Sequence, residues 1–324
     1  MSDYYRQERY LLITLDPLHV GTGGNRLGRV DLSIVREPGT RLPKIPGTAL
    51  HGAIRQYAAA RYEKLHCAGA GQANEEKGKK GHCASKLCPI CYTFGYIKGG
   101  QGGSEGQSGR ISIGDTRLFL FPVYSLAGPV WVTCPSVLAE FGISASVAND
   151  KVKGSIGNQH LNLGWLMLAK EDGDFALPDH IPAAIKERAV LVSDKLFSQI
   201  VNSNLEVRTS VSIDPQTGAA ADKALFTYEA IPRATILWLD VVEDNFRGSF
   251  PHTENKCKIV EIEGENGKNK QQYIDNAGDS LGNKWEKPLD VVTAGLRLAE
   301  LLGIGGMGTR GFGRVRTEAH WEVK

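Results

Sequence analysis

The sequence predicts an α+β domain built on one sheet and opened by large insertions. A strand followed by a helix opens the chain, and a helix followed by a strand closes it. β-rich segments fill the span between, which is the pattern of a sheet with helices segregated to one side. No unit of roughly 20–50 residues recurs, which excludes a tandem array within the chain.

Taken in order, residues 8–16 (ERYLLITLD) read as the first strand, followed by the glycine-rich turn His19-Val20-Gly21-Thr22-Gly23-Gly24. A second extended run, 30–36, alternates apolar and polar positions. Pro46-Gly47-Thr48 opens a helix that the spacing of Leu50, Ile54, Tyr57 and Tyr62 carries to Lys64, with Thr48 as N-cap. Residues 68–82 and 98–109 are rich in Gly, Lys and Ser and read as loops. Strands are expected at 111–123 and 189–192, and a long hairpin at 205–232 turning at Asp214-Pro215-Gln216-Thr217-Gly218. Residues 251–285 are polar, with a short strand at 258–262, and read as an insertion. An amphipathic helix over 289–302 ends at Gly303 and runs through a glycine-rich loop into a last strand at 313–323.

The 324 residues are 41% hydrophobic and 23% charged, an ordinary globular composition with enough chain for a full core. Net charge is only +2, so no global field points to a polyanion. The distribution is more informative. Residues 26–64 hold eight Lys/Arg against three acids, a surplus larger than that of the whole chain. A concentrated basic face is the footprint of a phosphate backbone, and a solvated surface is the plainer alternative. The first residues hold no apolar stretch behind a basic head, and the most apolar segment, 118–132, is broken by Pro122 and Pro129. A cytoplasmic protein without a membrane segment is expected. Six cysteines in that setting point to metal or core packing rather than disulfides.

Four of them, Cys67, Cys83, Cys88 and Cys91, are spaced C-x15-C-x4-C-x2-C. The closing C-x2-C places two thiolates on one ion, Pro89 favours the tight turn, and two more ligands arrive from a long loop. Four protein ligands close the coordination sphere, so a structural Zn²⁺ is expected, with His66 or His82 as alternative ligands. Residues 303–313 hold six glycines and Arg310, a loop that lets backbone N–H groups approach phosphates. It lacks the lysine–hydroxyl ending of a nucleotide-triphosphate loop. On the first helix His51 and Arg55 lie one turn apart and share a face.

Several segments together resemble one family. Leu15-Asp16-Pro17-Leu18-His19-Val20-Gly21-Thr22-Gly23, then Val30-Asp31-Leu32-Ser33-Ile34-Val35-Arg36-Glu37, look like the opening of RAMP-superfamily backbone (Cas7-like) subunits of type III CRISPR effectors. Residues 42–55 (LPKIPGTALHGAIR) look like the helix signature that follows. The segments 121–126 (FPVYSL), 131–135 (WVTCP) and 225–232 (LFTYEAIP) are similar to the Cmr (type III-B) branch. Residues 304–313 resemble the superfamily's C-terminal loop.

The resemblance implies one modified ferredoxin-like (RRM-like) palm spanning residues 1–324, with insertions near 66–110 and 251–286 and a thumb hairpin at 205–232. Such palms stack as a filament of copies along a guide RNA (crRNA), together with other subunits of the effector. The thumb enters between nucleotides, and target RNA is cut beside it at regular intervals in a reaction needing Mg²⁺ or Mn²⁺ and the Asp of V-D-x-x-I, here Asp31. Phe226 and Tyr228 become the stacking candidates, since aromatic rings offset lost base stacking. His19, Gly21, Arg36, Lys44, His51, Arg55, Gly305, Gly306 and Arg310 become the RNA contacts. From the residues themselves, Asp31 reads first as a partner for Arg29 or Arg36 or as the cap of a turn, with a cation-holding carboxylate as the alternative. Two alternatives to the cutting subunit are a non-catalytic RNA scaffold and a stand-alone guide-processing RNase. The chain departs from the pattern at His51, where Lys is common, and at Ser210 and Ser212 in the thumb. Its four cysteines are more typical of Csm-type subunits.

Overall fold

A computed structural model describes residues 4–23, 30–69, 81–85, 87–98, 105–157, 159–246, 250, 257–263, 269–275 and 285–323. Gly24, residues 70–80 and 99–104 of the expected loops, and much of the polar insertion lie outside the described residues. The chain runs through β1 (Tyr5–Thr14), α1 (Gly47–Arg61), α2 (Pro89–Phe94), β2 (Gly95–Lys98), β3 (Glu105–Ser108), β4 (Ile111–Ile113), β5 (Arg117–Val123), β6 (Val130–Thr133) and α3 (Pro135–Ala139). It continues with β7 (Lys151–Lys153), β8 (His160–Leu163), β9 (Leu166–Glu171), α4 (Ala183–Lys186), β10 (Ala189–Leu191), α5 (Asp194–Ser203) and the hairpin β11 (Glu206–Ile213) and β12 (Ala220–Ala230). It closes with β13 (Ile236–Asp244), a hairpin of β14 (Cys257–Glu263) and β15 (Asn269–Asp275), α6 (Pro288–Leu302) and β16 (Val315–Glu322).

The organising sheet runs β16-β1-β13-β5-β6-β10-β7-β9-β8, with β4 also paired to β13. In its first four strands each runs antiparallel to its neighbour. They form two interleaved β-α-β units, β1-α1-β5 and β13-α6-β16. Tyr10, Leu11 and Leu12 are all buried, as a central strand covered on both faces requires. The two helices pack on each other closely at Gly295, where a Cβ would come within 2.5 Å of the Ile54 carbonyl oxygen. Val291, Val292, Leu296 and Ala299 of α6 join Leu50, Ile54 and Ala58 of α1 in the core.

The structure departs from the sequence expectations in physically legible ways. Thr48 is not the N-cap of α1; that position is Pro46, and the Gly47 N–H donates to Asp115 Oδ1 at 2.8 Å. The same acid pairs with Lys44. The strand expected over 111–123 breaks between β4 and β5 because Asp115 caps the helix and Thr116 bridges to Ile45. Residues 30–36 are extended but make single bridges, Gly21 to Ile34, Leu32 to Tyr228 and Arg36 to Pro43, rather than a ladder. Helix α5 was not expected, although Phe197, Ile200 and Val201 bury one helical face. Among the described residues, no helix is long and apolar enough to cross a membrane.

Candidate nucleic-acid interface and metal centre

The base of the β11–β12 hairpin gathers segments that are far apart in sequence. Leu18 and Ile231 exchange backbone bonds at 2.8 and 2.9 Å, tying the N-terminal turn to the exit of β12. Leu32 lies along the free edge of β12, donating to the Thr227 carbonyl and accepting from the Glu229 N–H, each at 3.0 Å. That pairing places Asp31 beside Thr227. The Thr227 N–H and hydroxyl donate to Asp31 Oδ2 at 2.7 and 3.0 Å, and the Asp31 N–H donates back to Thr227 Oγ1 at 3.2 Å. These bonds hold the exposed carboxyl below its usual range. Among the described residues, no group bonds to its Oδ1.

Arg36 is directed inward. Its guanidinium meets both Glu229 oxygens at 3.0 and 2.9 Å, Asn202 Oδ1 at 2.9 Å and the Ile34 carbonyl at 3.2 Å. It braces the hairpin base, and Asp31 pairs with Thr227 rather than with Arg36. His19 is buried beneath the same strand with Nδ1 at 2.6 Å from the Glu229 carbonyl. A carbonyl only accepts, so Nδ1 carries a proton. Gly21 lies over the other ring nitrogen, where a Cβ would sit 3.0 Å from Nε2.

The glycine-rich loop closes the other side. Gly305 has φ +86, and a Cβ there would meet the His19 carbonyl at 2.4 Å, so only glycine allows this approach. The Gly306 N–H donates to that carbonyl at 2.9 Å. Gly305 and Gly306 are exposed, as is Arg310, whose guanidinium lies 6.0 Å over the Phe226 ring. Directly paired residues share a face of the hairpin, so Arg208, Ser210, Phe226 and Tyr228 project together. Tyr228 is 4% exposed, packed edge-on against Phe312 at 5.3 Å. Its ring is therefore core rather than a free stacking surface, and Phe226 is half-buried. The opposite face carries Thr227 with Val207, Val211 and Leu225, all three exposed.

Lys44, His51 and Arg55 are not brought to this site. Lys44 pairs with Asp115 at the start of α1. His51 packs edge-on against Phe94, and burial, with the Arg55 charge, lowers its pKa. Arg55 is buried and donates to the carbonyls of Cys67 at 2.7 Å, Gly95 at 2.8 Å and Phe94 at 3.3 Å. Its position is interior to the cysteine insertion.

That insertion brings four sulfurs together. Cys67, Cys83, Cys88 and Cys91 Sγ all lie within 4.8 Å of one another, with Cys83–Cys91 at 3.6 Å and Cys67–Cys88 at 4.0 Å. Tetrahedral zinc with Zn–S of ~2.3 Å spaces its sulfurs by ~3.8 Å, so the four cysteines can hold a metal ion. Hydrogen bonding to Cys67 first, then to the other two, drives the Cys83 thiol far down, while Cys88 and Cys91 are pushed up. A cation at their centre would let all four ionise together. Cys88 precedes Pro89 at the start of α2, which sets the expected turn. The converging set includes no histidine. His82 accepts at Nδ1 from the Ile97 N–H at 3.1 Å, and its Nε2 donates to the Gly69 carbonyl at 2.9 Å.

Thr227, Glu229 and Asn202 are the site residues that sequence reasoning missed. The only signal for the first two was polar residues alternating with aromatics in 226–229.

A sheet of interleaved β-α-β units with a projecting hairpin and a glycine loop folded onto its base defines the class. The RAMP superfamily matches residues 11–316, and the chain belongs to that superfamily. It is 27% identical over 259 residues to the CRISPR system Cmr endoribonuclease Cmr4 of Pyrococcus furiosus, covering 70% of this chain and 78% of that protein. Its fold is shared with a chain of the type III-B Cmr-beta complex bound to cognate target RNA, solved by cryo-electron microscopy. The TM-score is 0.62 at 16% identity, with 98% of this chain and 99% of that one covered. The crystal structure of oligomeric Cmr4 from Pyrococcus furiosus matches with TM-score 0.56 at 20% identity, covering 98% and 99%.

Proposed function

We propose that this chain is the guide-RNA-binding backbone subunit of a Cmr-type CRISPR effector in the cytoplasm, and that it cuts complementary target RNA beside its hairpin through Asp31. The four-stranded unit with α1 and α6 is then a ferredoxin-like palm, copies of which stack along the guide, and the β11–β12 hairpin is the thumb. The observation that carries this reading is the exposed Asp31 carboxylate, fixed by two donors at the thumb base with its second oxygen turned out. Its lowered pKa makes it a poor proton acceptor and a good cation ligand, so its role is to hold charge rather than to take a proton. Mg²⁺ or Mn²⁺ bound there supplies Lewis acidity at the cut phosphate. The exposed Gly305–Gly306 edge is placed to position the backbone of the guide, with buried His19 holding that edge through its carbonyl. Leu225 and Val211, rather than Tyr228, are the groups that enter between nucleotides. Zn²⁺ on the four cysteines holds the insertion in shape.

The test is Asp31→Ala, assembled with guide RNA and the partner subunits and given labelled complementary RNA with Mg²⁺. The expected result is intact assembly and target binding with loss of the regular cuts. Regular cutting that persists makes Asp31 structural and assigns the reaction elsewhere.

A further inference from the structure

Beside the base of the thumb, where Gly164 packs against Asn204 just ahead of β11, two loops without charged residues build an apolar surface. The turn after β5 meets the β8–β9 turn, with the Gly164 N–H donating to the Tyr124 carbonyl at 3.2 Å and the Leu126 N–H to Asn162 Oδ1 at 2.7 Å. Tyr124, Leu126 and Trp165 stand out from these turns and Met167 from the start of β9, with 70%, 78%, 76% and 56% of their surface exposed. Residues 124–132 and 160–169 contain no Lys, Arg, Asp or Glu. The guanidinium that reaches this loop, Arg188, is occupied by the carbonyls of Ala127 and Pro129. Loops that carry no cations of their own do not suit a phosphate backbone, whereas an apolar patch of large side chains suits the centre of a protein interface. With roughly 150–250 Å² per aromatic ring and less for Leu and Met, the four expose on the order of 500 Å². That is more than half of the ~800 Å² each partner contributes to a standard interface.

A second exposed apolar feature lies at the far end of the same strand pair. Tyr4 stacks on Phe246 at 5.5 Å, and both rings are largely exposed. Tyr124 follows the last residue of β5, and Phe246 lies just past the end of antiparallel β13, whose Ile236 pairs with Leu120. Four residues one way and ten the other separate these ends by roughly 45 Å at ~3.3 Å per residue. Distinct apolar surfaces at opposite ends are what a head-to-tail contact requires, and a contact that does not close makes a filament.

We propose that Tyr124, Leu126, Trp165 and Met167 form the surface by which one copy docks on the Tyr4–Phe246 end of the next. The proposal rests on the reading of the chain as a subunit that stacks along RNA, and it names the contact. The experiment is sedimentation velocity on the full chain without RNA, comparing wild type, the double variant Leu126→Ser/Trp165→Ser and the double variant Tyr4→Ser/Phe246→Ser. An unchanged melting transition shows that each variant is folded. Wild type is expected to give a concentration-dependent series of oligomers, and each variant a monomer. Each variant keeps one intact end, so an equal mixture is expected to give 1:1 dimers and nothing larger. A wild type that stays monomeric overturns the proposal, as does a Tyr4/Phe246 variant that assembles normally or a mixture that stays monomeric. Guide-RNA affinity is measured on the same samples. Loss of RNA binding by Leu126→Ser/Trp165→Ser with assembly intact makes the patch a nucleic-acid surface and overturns the proposal. Self-association without any RNA binding leaves the docking surface standing and removes the RNA-binding reading.

Discussion

Asp31 and Thr227 are 196 positions apart, and three hydrogen bonds join them. The Thr227 hydroxyl accepts from the Asp31 N–H and donates to its carboxylate, so one side chain sets both the backbone and the oxygen. Thr227→Ala keeps the backbone donor and removes the hydroxyl. The Asp31 carboxyl then rises toward its ordinary value and loosens, which, on the role proposed for it, would weaken its hold on a cation. Single-turnover cutting is expected to fall about 10-fold, with the metal requirement shifted to higher concentration. Thr227→Ser is expected to restore both. Cutting by the alanine variant at wild-type rate and metal dependence removes the positioning role. V-D-x-x-I marked Asp31 as a candidate, because a resemblance picks out a residue by its neighbours in sequence. Thr227 was not, because its partner is reached only through the Leu32–Tyr228 bridge. Tyr228 marks the opposite limit: an aromatic in a hairpin is equally a stacking group or a local core, and only Phe312, 84 positions away, decides for the core.

At the scale of elements, the long periodic pieces were legible and the irregular ones were not. Helix α6, strand β1 and the β11–β12 hairpin follow from apolar spacing and turn residues that act locally. The start of α1 did not, since its cap comes from Asp115 rather than from Thr48. The strands β7, β8 and β9 are short and carry little alternation of their own. Arg55 shows why function is hard to assign from a helix face. On sequence it shares a face with His51, yet the cysteine insertion folds over that face and takes the guanidinium into its interior. There the charge opposes the negative charge that four thiolates bring, and its bonds fix the carbonyls of Cys67 and Gly95. Arg55→Ala is therefore expected to reduce zinc retention about 10- to 100-fold in a chelator competition, with guide-RNA affinity changed only as far as the insertion loosens. Retention equal to wild type, with RNA affinity lost outright, returns Arg55 to the RNA-contact role expected from the sequence.

At the scale of the whole molecule, the two ends of the chain are closed on one buried carboxylate. Glu8 of β1 receives Lys287 Nζ at 3.0 Å from the start of α6, His320 Nδ1 at 3.1 Å from β16 and the Tyr10 hydroxyl at 3.1 Å. Burial alone raises the Glu8 carboxyl, but the bonds from His320, Lys287 and Tyr10, with the Lys287 charge, outweigh it and hold it at about 2. The folded value lies below the ordinary 4.5, so the group binds its proton more readily when unfolded. Its contribution is therefore complete above about pH 4.5 and is lost as pH falls toward 2. A shift of this size is worth about 3 kcal/mol near neutrality. Glu8→Gln keeps the shape and removes the charge. Denaturant titrations across pH 2–7 are expected to show the variant about 3 kcal/mol less stable near pH 7, with the gap narrowing steadily below pH 4.5. A gap that stays constant with pH means the loss is one of packing, and the ends are then joined by the β1–β16 ladder and the α1–α6 contact rather than by this charge.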